Sequence, residues 1–145
     1  MFKRILLPVD GSSTSRTAIG KASGLAQAFQ STVTVIYVIN PYAFSGVGTD
    51  FSYGQAQYLD AATAEAHDAL AGATLVLEAA GVPVETSVVE NHVIYRGILE
   101  AASAAGADLI VMGSHGRRGL DKLVLGSVAA QVLSHAHLPI LVVRD

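Results

Sequence analysis

The chain has 145 residues, 51% apolar and 14% charged, which is close to common single-domain size and rich enough for a full core, so a single domain over 1–145 is expected. Its 9 basic and 12 acidic residues leave a formal charge of -3, which argues against non-specific nucleic-acid binding. There is no cysteine, so disulfides and thiolate metal sites are excluded, and no apolar run approaches the roughly 20 residues of a membrane span.

The start, Met1 to Asp10, carries Lys3 and Arg4, but its apolar part is too short for a signal peptide and meets Asp10 too soon; a cytoplasmic protein is expected. Ile5-Leu6-Leu7-Pro8-Val9 reads as a buried strand, ended by the turn and capping types Asp10-Gly11-Ser12-Ser13. From Ser13 to Phe29, Ala18, Ala22, Leu25, Ala26 and Phe29 recur at helical spacing. Gly20 and Gly24 either weaken that helix, by about 1 kcal/mol each if exposed, or permit close packing on a sheet. Val33 to Ile39 is β-branched and predicts a second buried strand, stopped by Asn40-Pro41.

Asn40 to Tyr58 scatters Gly46, Gly48 and Gly54 among Tyr42, Phe44, Phe51, Tyr53 and Tyr58, and reads as a long loop serving as a lid or partner surface. A long helix is expected from Leu59 to Ala80, closed by Gly81-Val82-Pro83. Val84 to Val89 alternates as an edge or half-exposed strand does. A third helix begins at Ile94 or Tyr95 and runs to Ala105, with Gly106 closing it; Ala107 to Met112 is a fourth strand, Val128 to His135 a fourth helix, and Leu138 to Val143 a fifth strand. Strands alternating with helices imply a doubly wound α/β fold, a five-stranded parallel sheet with helices on both faces. In strand order 3-2-1-4-5 the first and fourth strands are neighbours at the switch point where such sheets bind ligands, which sets Asp10-Gly11-Ser12 beside Gly113 to Ser127.

That second stretch, Gly113-Ser114-His115-Gly116-Arg117-Arg118-Gly119 through Lys122 to Gly126-Ser127, reads as a phosphate cradle. Glycines at 113, 116, 119 and 126 allow positive φ and close backbone approach, and Arg117, Arg118 and Lys122 add positive charge. No Lys or Arg occurs between Lys21 and Arg96, so this cluster stands out. The helix start at Gly126-Ser127 offers unpaired amides and the positive end of a dipole to an anion. The spacing is neither the Walker loop nor the dinucleotide fingerprint.

Taken together, the opening Ile5 to Ser12, the run Asp108 to Arg117, Leu125-Gly126-Ser127-Val128-Ala129 and the ending Pro139 to Arg144 resemble the signatures of the universal stress protein family, in its ATP-binding branch. The resemblance implies an adenine-nucleotide α-hydrolase-like sandwich, usually a homodimer that pairs its C-terminal strands. It implies ATP as ligand, with Mg as an optional companion, and a stress-response role in which nucleotide occupancy controls conformation or partner contacts. By that likeness Asp10 faces ribose or a phosphate-bound cation, Pro8 and Val9 flank the adenosine, and Val38 contacts adenine. Met112 and Gly113 lie under the nucleoside, His115, Gly116 and Arg117 line the phosphates, and Gly126, Ser127 and Val128 receive them. Two positions depart from the pattern: Glu90 to Tyr95 replaces a common Gly-x-Pro turn, and Tyr37 stands where many relatives have His.

Blander readings stand beside these. Asp10 or Ser127 could be only helix caps. His135 and His137 lack a third ligand nearby and make a poor metal pair, and His67 and His92 read as surface residues. No catalytic residue is assigned. The alternatives to a nucleotide-dependent regulator are a slow ATPase or self-phosphorylating enzyme using Ser127 or another hydroxyl near the γ-phosphate, and a dimeric module with a vestigial pocket. A receiver domain is discarded, because the third strand runs into Val88-Val89-Glu90-Asn91 without its phosphoacceptor Asp, whereas a flavodoxin-like FMN binder stays open.

Overall fold

The computed structural model describes residues 1–41, 50–115 and 125–144, with the side chains of 50–53 left aside. Among the described residues the chain alternates β1 (Arg4–Pro8), α1 (Ser13–Phe29), β2 (Thr32–Ile39), α2 (Asp50–Ala79), β3 (Val84–Glu90), α3 (Ile94–Ala105), β4 (Leu109–Gly113), α4 (Ser127–His135) and β5 (Ile140–Val143). The strands form one parallel sheet in the expected order β3-β2-β1-β4-β5. Central β1 pairs Ile5 with Val33 on one side and with Leu109 on the other.

Side-chain alternation along the strands divides the core into two layers. Ile5 and Leu7, Val33 and Val35, and Leu109 and Val111 face the layer built with α1 and α2, where Ala18, Ala22, Leu70, Ala73 and Leu77 are buried. Leu6, Ile36, Ile110 and Met112 face the layer built with α3 and α4, against Ile98, Ala102, Ala129 and Val132. A strand covered on both faces has no polar position to spare, so Ile5, Leu6 and Leu7 run consecutively and all lie within 1% of full burial. Each such side chain contributes about 1.5–3 kcal/mol of transfer free energy. At the edge β3 is mostly exposed or half-buried, as its alternating sequence predicts. No helix among the described residues is long and apolar enough to cross a membrane.

One expectation is corrected here, and one alternative is decided. The irregular stretch from Asn40 to Tyr58 is helical from Asp50 onward, nine residues before the expected start at Leu59; residues 42–49 lie outside the described residues. Gly54 costs this turn about 1 kcal/mol, but the Gln55 amide donates to the Pro41 carbonyl and the Tyr58 hydroxyl to the Asn40 carbonyl (3.0 Å), which fastens the early turns of α2 to the end of β2. Gly20 and Gly24 would meet nothing if given a Cβ, so close packing on the sheet does not explain them.

Candidate nucleotide-sized cleft

Two turns leave the carboxyl edge of the sheet side by side. After β1, the Asp10 carboxylate accepts the Ser12 N–H (2.9 Å) across Gly11, whose φ of 80° is a conformation that favours glycine. Ser12, and not Asp10, is the N-cap of α1: its hydroxyl accepts from the Ser15 N–H (3.2 Å), while the Asp10 N–H donates to the Ser15 hydroxyl (3.2 Å). Asp10 therefore orders the turn without filling the cap, and it lines the cleft.

After β4 the chain is held from three sides. Ser114, 1% exposed, donates its N–H to Val143 of β5 (2.8 Å), and its carbonyl accepts the Gly126 N–H (2.7 Å). The Thr14 hydroxyl donates to the His115 carbonyl, and Ser114 Oγ lies 3.1 Å from His115 Nδ1. The glycines here do a different job from the one expected. Neither Gly113 nor Gly126 has a positive φ. A Cβ on Gly113 would lie 2.8 Å from Thr14 Oγ1, and one on Gly126 would lie 2.9 Å from both His115 Cα and Ser114 O. Gly113 is bare because the buried Thr14 side chain fills the space, and Gly126 because the backbone of Ser114 and His115 does.

Gly126 is also the N-cap of α4, so no side chain caps this helix, and Ser127 is its first residue instead of a cap. The first amide to bond within the helix is that of Ala130, to the Gly126 carbonyl (2.9 Å). The N–H groups of Ser127, Val128 and Ala129 precede it and have no carbonyl inside the helix, as at any helix start.

Between these turns lies a cleft of about 690 Å³, in the size range of small-molecule sites. Its polar lining comes from Asp10, Ser12, Thr14, His115 and the start of α4, and from Asn40, Tyr58 and Glu65; its apolar lining comes from Val38 and Ile39 of β2, Ile94 and Ile98 of α3, and Ala61 and Ala62 of α2. Of the twelve residues singled out in the sequence, Pro8, Val9, Asp10, Val38, Met112, Gly113, His115, Gly126, Ser127 and Val128 line this one space. Gly116 and Arg117, with Arg118 and Lys122, lie outside the described residues. A smaller hollow of about 360 Å³, lined by Glu90, Asn91, His92, Arg96 and Glu100, sits beside edge strand β3 and away from the switch point.

The departure at Glu90 to Tyr95 has a simple local path: the Asn91 side chain accepts the Val93 N–H (2.9 Å), and α3 starts at Ile94. Tyr37 lines the cleft next to Val38. His135 is occupied otherwise than by a metal pair, stacking on the Tyr95 ring at 4.8 Å with Nδ1 2.8 Å from the Gln131 carbonyl. Sequence reading missed Thr14, Tyr58 and Glu65 as cleft residues. Thr14 and Glu65 sit inside ordinary helical patterns, and only the aromatic richness around Tyr58 gave a signal.

The profile of the universal stress protein family matches residues 1–144. The universal stress protein MJ0531 of Methanocaldococcus jannaschii is 37% identical over 144 residues, covering 99% of this chain and 83% of that one. Among solved structures, UspA from Lactobacillus plantarum superposes with a TM-score of 0.87 at 26% identity, over 99% of this chain and 98% of its own. A universal stress protein from Archaeoglobus fulgidus in complex with dAMP shares the fold at a TM-score of 0.73 and 19% identity, over 99% and 98% of the two chains. On the family profile and these relatives, the chain belongs to the universal stress protein family.

Proposed function

We propose that the cleft binds an adenine nucleotide, ATP in particular, and that its occupancy regulates contacts with other proteins. The observation that carries this reading is an uncapped helix start with a close backbone approach at Gly126, opening on a cleft that is also lined by Val38, Ile39, Ile94 and Ile98. Helix starts and amide-lined concavities favour phosphate oxygens, and an apolar slot suits a purine ring. In this reading His115, Gly126, Ser127 and Val128 hold the phosphates, together with Gly116 and Arg117, and Gly113 lies under the nucleoside. Asp10 takes the ribose or a Mg ion travelling with the triphosphate, Pro8, Val9 and Met112 flank the nucleoside, and Val38 contacts the base. The dAMP complex supports the capacity of this fold to hold an adenylate.

The regulatory half of the proposal draws on the start of α2, whose Tyr58 both lines the cleft and bonds the end of β2. A ligand in the cleft touches this attachment and so reaches the surface beyond it. A homodimer through β5, an edge strand with Leu141 39% exposed, supplies the second copy, and a cytoplasmic setting fits both parts. Titration calorimetry on nucleotide-stripped protein tests the binding claim: saturable heat with ATP is expected, and no heat at millimolar ATP overturns it.

A further inference from the structure

We propose that Thr14 is a positioning residue that sets the phosphate end of the cleft by fixing the chain as it leaves β4; the inference rests on the nucleotide reading above. Thr14 belongs to no motif, yet it is fully buried in the first turn of α1, and its hydroxyl donates to the carbonyl of His115, 101 residues along the chain. Its other polar neighbour is the capping hydroxyl of Ser12, 3.3 Å away. The same side chain lies where a Cβ on Gly113 would come within 2.9 Å of its own Cβ, so β4 ends hard against it.

From His115 the contacts continue without a gap. Gly126 stands against His115 Cα so closely that a Cβ would be 2.9 Å away, and its N–H bonds the carbonyl of the preceding Ser114 at 2.7 Å. The start of α4 is thus referenced to the same two peptides that Thr14 holds. A part-buried carbonyl deprived of its donor shifts toward another partner or forfeits the bond. Either response displaces the amides of α4 relative to Gly113, while Val38, on β2, has no contact in this series.

Thr14→Val keeps the branched shape and removes only the hydroxyl. With wild-type protein as reference, ATP affinity is expected to fall about tenfold, the factor that corresponds to one lost hydrogen bond of ordinary net strength. Adenosine affinity, followed by ligand-observed NMR, is expected to stay within about twofold on the same scale. In the ligand-free variant the Gly126 amide is expected to exchange with solvent faster, and Thr14→Ser, which restores the hydroxyl, returns both quantities toward wild type. Equal loss of ATP and adenosine affinity, unchanged ATP affinity in Thr14→Val, or failure of Thr14→Ser to rescue overturns the inference while leaving nucleotide binding intact. Wild-type protein that takes up neither ATP nor adenosine brings down the nucleotide reading, and this inference with it.

Discussion

Two helices start from the same edge of the sheet, after adjacent strands, and they are finished differently. The start of α1 is closed by its own side chains, with Ser12 accepting from Ser15 and Asp10 bracing the turn through the Ser12 N–H. The start of α4 carries a glycine in the capping position and no side-chain acceptor. A glycine in place of a capping side chain costs only a few tenths of a kcal/mol, so α4 gives up little local stability for amides that an external anion can reach. The bare position is not a matter of backbone freedom, since Gly126 has an ordinary φ of -63°. It comes from the contact with Ser114 and His115, which leaves no room for a Cβ.

The largest effect expected from breaking this contrast is at Gly126. Gly126→Ala pushes a methyl group to 2.9 Å from backbone atoms that cannot rotate away, and overpacking of this kind costs about 1–3 kcal/mol. Chemical denaturation should register that loss, and calorimetry should find ATP binding weakened at least as strongly. The next largest is Asp10→Asn, which keeps the acceptor for the Ser12 N–H but removes the charge. Its stability is expected to stay within about 0.5 kcal/mol of wild type, as for changes that spare a buried network. Its affinity for Mg-ATP is expected to drop about tenfold, the scale of one charge-assisted hydrogen bond; an equal drop in the absence of Mg assigns Asp10 to the ribose. The smallest is Ser12→Ala, which removes the cap that α4 never had: a stability loss of about 1 kcal/mol is expected by denaturation, and no measurable loss would mean that the two helix starts are equivalent after all.

Sequence patterning carried most of the architecture because the sheet is covered on both faces. Unbroken apolar runs such as Ile5 to Leu7 read as buried strands, and the helical spacing of Ala18, Ala22 and Ala26 named the buried face of α1 correctly. The start of α2 was illegible for a physical reason. Local signals around Gly54 oppose a helix, and the bonds that secure it come from Asn40 and Pro41 in the preceding segment, which no periodicity reports. That Asp10, Gly113 and Gly126 meet at one cleft was legible by residue, but what requires the glycines there was not. Spacing identifies glycine without saying whether φ or a neighbouring backbone requires it. Thr14 left no trace at all, because its partner carbonyl is brought to it only by the pairing of β1 with β4.

The central claim is that phosphates of an adenine nucleotide meet the open start of α4. Titration of isotope-labelled protein with ATP, followed by backbone amide NMR, tests it most directly. The predicted result is that Ser127, Val128, Gly113 and His115 show the largest saturable shifts, with Val38 responding at the far end of the cleft. Shifts confined to the hollow around Glu90 and Arg96, or no shift at millimolar ATP, would contradict it.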